Sequence, residues 1–156
     1  MRGMPDVVYL LRYVNVIFGA VLFGSMIMEH VMIIPVIRSR PPREGVEVLR
    51  AFTPIAMRYV PLCGQICGLA AMAQLALWRD LSVADFRWTL GGCVLYVVAV
   101  STTFGFYLPA DRAIRGLAEE AVAAEAPPLM RRWARFHAVR ATFYLLAYAL
   151  WVGAAL

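Results

Sequence analysis

The chain has 156 residues, of which 62% are hydrophobic and only 16% are charged, and its net charge is +5 at neutral pH. Its mean hydropathy is +0.70, whereas soluble domains are about 45–50% apolar and about 25% charged. This composition excludes a soluble globular domain and an intrinsically disordered chain. The sequence therefore predicts a small integral membrane protein.

Four apolar stretches are long enough to cross a bilayer, which takes about 20 helical residues. They cover about residues 7–37, 55–78, 86–109 and 136–156. We therefore predict an all-α fold, a four-helix transmembrane bundle that forms one domain over residues 1–156.

The basic residues are all arginines, and they are concentrated on one side of the predicted membrane. Nine lie in the first and third loops: Arg38, Arg40, Arg43, Arg50, Arg112, Arg115, Arg131, Arg132 and Arg135. Four lie on the opposite side: Arg2, Arg12, Arg79 and Arg87. Because cytoplasmic loops are enriched in basic residues, we expect loops one and three in the cytoplasm and both termini outside. The expected location is a bacterial inner (cytoplasmic) membrane, and no nucleic-acid partner is predicted.

The two predicted cytoplasmic loops contain amphipathic patterns. After Pro41-Pro42, apolar residues recur at helical spacing up to Phe52. A second apolar stripe extends from Ile114 to Val122, and Pro127-Pro128 is expected to end that helix. We therefore predict short amphipathic helices in these loops, which cap the bundle.

Ionisable side chains inside a span are costly and often functional. At a rise of about 1.5 Å per residue, those of this chain fall in one layer, the cytoplasmic third of the bundle. They and their polar neighbours are Glu29, His30, Arg58, Tyr107, Asp111, His137 and Arg140. In the fourth span, Trp133, His137, Arg140 and Tyr144 are spaced four, three and four apart, so they share one helix face. We interpret the layer as a functional pocket. One alternative is a purely structural cluster of ion pairs, and another is that the arginines extend to the lipid headgroups.

The three cysteines favour no redox or metal function. Cys63 and Cys67 share one face of the second span, Cys93 is solitary, and no metal-ligand spacing surrounds them. We interpret them as small packing residues and predict no metal site.

Two segments carry a family resemblance. The segment Trp133-Ala-Arg-Phe-His137-Ala-Val-Arg140 resembles the W-x-x-x-(N/H)-x-x-R signature of anthrone oxygenase-like membrane proteins. The end of the third span, from Thr103 through Pro109 to Asp111, resembles the proline–x–asparagine turn of that family, with aspartate in place of asparagine. Tyr107 stands where a second polar amide is common. The small residues from Gly19 to Gly24 and the exit Pro35-Val-Ile also fit, so the likeness covers nearly the whole chain.

The resemblance implies oxidation of an anthrone-like polycyclic phenol to an anthraquinone by dioxygen, without a metal or flavin, as in polyketide biosynthesis. It implies that His137 is the base and Arg140 the anion-stabilising cation. Trp133 and Tyr144 would be the stacking walls, and Glu29 or Asp111 would orient a histidine. Tyr107, His30 and Arg58 complete the expected substrate-binding set. The implied partners are an apolar aromatic molecule, dioxygen and the lipid bilayer.

Two other functions fit the same residues. His30 and His137 come from different spans at similar depth, as two axial ligands of a haem would. A four-span protein of this size also fits a non-catalytic accessory subunit of a larger membrane complex, or a homo-oligomer. The sequence alone does not separate these alternatives from the oxygenase.

Overall fold

The computed structural model describes residues 6–80 and 83–156, so Arg2 of the topology argument lies outside the described residues. Within them, four helices are long and apolar enough to cross a membrane. They are α1 (Asp6–Arg38), α2 (Pro42–Leu77), α3 (Ala84–Arg115) and α4 (Glu119–Ala155). The predicted all-α architecture with four spanning helices is confirmed.

The helices extend well beyond the predicted spans, because the amphipathic loop segments continue them. The segment before residue 55 is the first part of α2, which begins at Pro42. The second amphipathic stripe is divided between α3 and α4 by a turn at Gly116, whose backbone N–H donates to the carbonyl of Arg112 at 3.0 Å. The amphipathic segments are therefore parts of the long helices.

The expectation that Pro127-Pro128 ends a helix is wrong, because α4 continues through both prolines. A proline inside a helix removes the hydrogen bond to the carbonyl four residues earlier. Here those carbonyls belong to Ala123 and Ala124, which are exposed. Val122 on one side and Trp133 on the other are buried in the same apolar cluster, which stabilises the helix across the interruption.

Short connections make successive helices antiparallel neighbours. The most extensive packing joins α1 to α2 and α3 to α4, and α1 also packs against α4, which closes the bundle.

We call the end with the connections at 39–41 and 116–118 the loop end, and the opposite end the terminal end. At the loop end, Arg50 of α2 donates to the carbonyls of Arg115 (3.1 Å) and Leu117 (2.7 Å) and pairs with Glu119 (2.9 Å). It thereby ties α2 to the turn between α3 and α4.

The core consists of two apolar clusters along the bundle. The loop-end cluster contains Ile37, Leu49, Ile114, Val122 and Trp133 among others. The second cluster lies towards the terminal end, and its buried residues are Leu22, Met26, Cys67, Ala71, Ala99, Tyr144 and Trp151. The three cysteines are free and lie in or against the second cluster. The polar layer predicted from the sequence lies between the two clusters.

Two π-helical turns interrupt the helices beside this layer, over Glu29–Ile33 in α1 and Thr103–Tyr107 in α3. Each turn ends two residues before a proline, Pro35 or Pro109. A proline ring clashes with the carbonyl four residues earlier, which here is that of Val31 or Gly105 and lies inside the π turn. The wider turn accommodates that carbonyl, and π turns of this kind often accompany functional sites.

Candidate functional site

A buried polar cluster occupies the layer between the two apolar clusters. Its members are Glu29 from α1, Tyr107 from α3, and His137 and Arg140 from α4, and each is at most 5% exposed. Both oxygens of the Glu29 carboxylate accept hydrogen bonds: Oε1 from the Tyr107 hydroxyl at 2.5 Å and Oε2 from Arg140 Nη2 at 2.8 Å. The π turns of α1 and α3 carry two of these four side chains. We call these four residues the quartet.

The hydrogen bonds of His137 define how it can act. Its Nε2 lies 3.2 Å from the Met26 carbonyl oxygen, which only accepts, so Nε2 carries a proton. Its Nδ1 lies 3.1 Å from Arg140 Nη2 and 3.4 Å from Glu29 Oε2. A neutral imidazole therefore accepts a hydrogen bond from Arg140 at Nδ1, and a protonated one is placed to pair with Glu29.

Aromatic rings hold the quartet from several sides. The guanidinium carbon of Arg140 lies 3.3 Å from the centroid of the Tyr107 ring. The ring of Trp133, which is buried, lies 5.7 Å from that of Tyr107 and 6.3 Å from that of His137. His30 is exposed and stacks on His137 with centroids 5.7 Å apart and planes 16° apart. Trp133 and His30 therefore support the quartet without hydrogen bonding to it.

Asp111 and Arg58, also predicted from depth, lie apart from the quartet. Asp111 is fully buried, accepts a hydrogen bond from Thr53 Oγ1 at 2.9 Å and pairs with Arg115 at 2.7 Å. It ties α2 to α3 one layer nearer the loop end. Arg58 is exposed on the outer face of α2. The carboxylate beside His137 is that of Glu29.

An apolar cavity of about 140 Å³ adjoins the quartet, and all four helices line it. Arg140 is its charged lining residue, and Tyr144 and Tyr96 line it nearby. Met57 and Phe104 also line it and are exposed on the lipid-facing surface of the bundle, so the cavity opens laterally between α2 and α3. We call it the lateral cavity.

Tyr96 lines the lateral cavity but was not among the site residues predicted from the sequence. Its hydroxyl donates to the carbonyl of Gly64 at 2.6 Å. A Cβ atom at Gly68 would lie 2.7 Å from the Tyr96 ring, so glycine is required for this close approach. The spacing of Gly64 and Gly68 is a small-xxx-small pattern, which marks close helix contacts in membranes and was the available signal.

Two further spaces border the quartet. A small pocket of about 20 Å³ is lined by Glu29, Tyr107 and Arg140 together with Thr53 and apolar residues of α2. A wider groove of about 400 Å³ between α1 and α4 is lined by His30. His30 connects this groove with the quartet, because its ring stacks on that of His137.

The two histidines named in the haem alternative lie side by side, and both ring nitrogens of His137 have protein neighbours. Its Nε2 lies 3.2 Å from the Met26 carbonyl oxygen, and its Nδ1 lies 3.1 Å from Arg140 Nη2. Residues 6–80 and 83–156 contain no group of three or more His, Cys, Asp or Glu side chains that could hold a metal.

A protein-family model described as anthrone oxygenase matches residues 52–150. The match includes Tyr107, His137 and Arg140, whereas Glu29 precedes it. Searches of curated proteins and of solved structures found no match to the chain. Because the matched segment covers more than half of the sequence and contains three members of the quartet, the chain belongs to the anthrone oxygenase family.

Proposed function

We propose that the protein is a membrane-embedded oxygenase that converts an anthrone-like polycyclic phenol to the corresponding anthraquinone with dioxygen and without a cofactor. Family membership supports an oxygenase-type function in general. The observation that carries the specific proposal is the position of Arg140. Its side chain lines the lateral cavity and is bound to Glu29 and His137 behind it. One cation thus connects an apolar binding space with two proton acceptors.

The chemistry requires a base, a cation and an apolar slot. Removal of a proton from the anthrone methylene gives a delocalised carbanion whose charge lies largely on the phenolate-like oxygen. The carbanion carbon forms a bond to dioxygen, which takes up the electron pair and, with one proton, becomes a hydroperoxide. Loss of the second methylene proton and cleavage of the O–O bond release water and leave the new carbonyl. The overall balance is one anthrone and one dioxygen to one anthraquinone and one water.

In this proposal Arg140 stabilises the carbanion oxygen, because it is a fixed donor in a space that excludes water. The proton passes to the Glu29–His137 pair. Glu29 lines the small pocket that adjoins the lateral cavity, and His137 Nδ1 lies 3.4 Å from Glu29 Oε2. His137 is thus the final base, and it receives the proton through Glu29.

The aromatic residues have separate roles in the proposal. Tyr144 and Tyr96 form walls for the ring system of the substrate, since both line the lateral cavity. Trp133 lies behind the quartet and holds the rings of Tyr107 and His137. His30 stacks on His137 from the lipid-facing groove.

We further propose that the substrate enters from the bilayer, since the lateral cavity opens at the exposed side chains of Met57 and Phe104. The proposed orientation places the loop end in the cytoplasm of a bacterium and both termini outside. The nine-to-four distribution of arginines supports this orientation.

The test is oxidation of a hydroxylated anthrone by the purified protein in lipid nanodiscs. We expect formation of the anthraquinone, measured by its visible absorbance, together with uptake of one dioxygen per product. The rate should exceed that of empty nanodiscs and should survive a metal chelator. A rate equal to that of empty nanodiscs would overturn the proposal, and inhibition by the chelator would overturn its cofactor-independent form.

A further inference from the structure

The small pocket beside the quartet has a size and lining that the proposed roles leave unused. Its volume is about 20 Å³, and a space that holds one water needs about 10–15 Å³. It therefore admits one very small molecule and excludes an aromatic ring. Glu29, Tyr107 and Arg140 line it from α1, α3 and α4, and Ala56 and Val60 line it from α2.

The polar atoms around this pocket are largely committed to each other. Both Glu29 oxygens accept hydrogen bonds, and the Tyr107 hydroxyl donates one of them. The Thr53 hydroxyl donates to Asp111. Five apolar side chains also line the pocket: Met26, Phe52, Ala56, Met57 and Val60. This lining suits an apolar diatomic molecule.

One cationic side chain connects this pocket with the lateral cavity. Arg140 is 5% exposed and lines both the small pocket and the lateral cavity. Met26, Met57 and Val60 also line both spaces, so the two are adjacent. A molecule in the small pocket would thus lie beside Arg140 and next to a substrate in the lateral cavity.

We propose that the small pocket is the dioxygen site of the enzyme, and this inference rests on the proposed function. Dioxygen reaches it from the hydrocarbon layer past Met57, which is exposed. As the carbanion transfers its electron pair and the C–O bond forms, negative charge develops on the distal oxygen. The guanidinium of Arg140, which lines the pocket, stabilises that charge until the oxygen takes up the proton that was removed from the substrate.

The experiment compares two alanines on α2. Ala56 lines the pocket, whereas Ala51, five residues earlier, is exposed outside it. Ala56→Leu should fill the pocket and raise the KM for dioxygen by about tenfold, with the KM for the anthrone changed less than about twofold. Ala51→Leu should change neither constant. A second measurement needs no variant: xenon under pressure, located by its anomalous scattering in crystals of the wild-type protein, should occupy the pocket.

The outcomes separate this inference from the proposed function. A higher KM for the anthrone with an unchanged KM for dioxygen would assign the pocket to the phenol, and an ordered water in place of xenon would assign it to water. Either result would overturn the inference while leaving the oxygenase intact. If the wild-type protein oxidises no anthrone, the proposed function fails. Xenon occupancy then still decides whether the pocket takes an apolar gas.

Discussion

At the scale of single residues, the quartet is a charge-compensated group in an apolar setting. Glu29 and Arg140 are ionised partners 2.8 Å apart, each at most 5% exposed. Taking charges out of water is costly, and their attraction offsets that cost only while both partners are present. The stability of the bundle and the chemistry of the site therefore depend on the same contact.

Removal of the cation alone should destabilise the protein strongly. We expect Arg140→Leu to lower the free energy of unfolding by about 3–5 kcal/mol, because Glu29 is left buried and unpaired. The double variant Glu29→Gln/Arg140→Leu should recover much of this loss. Unfolding of Arg140→Leu, Glu29→Gln and the double variant in mild detergent, followed by circular dichroism, provides the comparison. Additive effects of the two single changes would mean that the pair is not energetically coupled.

A conservative change at the same position tests catalysis. Lysine offers a point charge, whereas the arginine fork contacts Glu29, His137 and the Tyr107 face together. We expect Arg140→Lys to fold and to lose about 10²–10³ in turnover, as when an oxyanion donor is removed. Arg58→Lys is the matched control, since Arg58 is exposed on the outer face of α2. Equal activities of the two variants would exclude a specific role for the guanidinium.

The two histidines, although they stack, should behave differently. His137→Ala should lower turnover by about 10²–10⁴, the usual contribution of a general base, while the bundle remains folded. His30→Ala removes an exposed ring at the same depth, and we expect a much smaller loss. Turnover of each variant on the same anthrone is the measurement. Full activity of His137→Ala would remove the base from the mechanism.

At the scale of helices, the sequence predicts the level of a side chain along the bundle better than the direction in which that side chain points. The spacing of Trp133, His137, Arg140 and Tyr144 placed all four on one buried face, as the structure has them. Depth alone also selected Arg58, which lies on the outer face. The reason is that the rise per residue fixes the level of a side chain, whereas its direction depends on helix rotation. That rotation is altered locally by the two π turns, which the prolines alone did not reveal.

The π turn in α3 should be essential for the site. Deletion of Gly105 would remove the residue that widens this turn, so the Pro109 ring would clash with the carbonyl of Phe104, which would then be four residues before it. The segment between Thr103 and Tyr107 would also shorten by about 1.5 Å, which moves Tyr107 relative to Glu29, so we expect activity to be lost. Gly105→Ala is the control: nothing lies within 4 Å of an added Cβ, so activity should persist. A deletion variant with wild-type turnover would contradict this role.

At the scale of the whole molecule, composition and the four apolar stretches predicted four spanning helices, which the structure has among its described residues. The lateral cavity was not predictable, because it depends on the close approach of Tyr96 to Gly64 and Gly68 from another helix. Similarly, Thr53 gave no signal, since its partner Asp111 is 58 residues away. Contacts between helices, rather than the helices themselves, are what the sequence leaves open.

The orientation of the bundle stays a prediction, and cysteine labelling tests it. Ser39 lies in the first connection and Leu156 at the other end, and both are exposed. On intact cells a membrane-impermeant maleimide should label Leu156→Cys, and it should label Ser39→Cys only after permeabilisation. This follows from the concentration of arginines in the first and third loops. Labelling of Ser39→Cys on intact cells would reverse the orientation.

The contact between Glu29 and Arg140 also has a consequence for synthesis. The two residues are 111 positions apart, and ribosomes add about 5–20 residues per second, so on the order of 6–22 s separate their appearance. Throughout that interval the first helix holds a carboxylate whose cation does not yet exist. Until the last helix is inserted, this carboxylate favours keeping α1 near water or near the insertion machinery. A nascent chain that stops before α4 would retain that unpaired charge. Membrane proteases could use the charge to distinguish incomplete chains from complete ones.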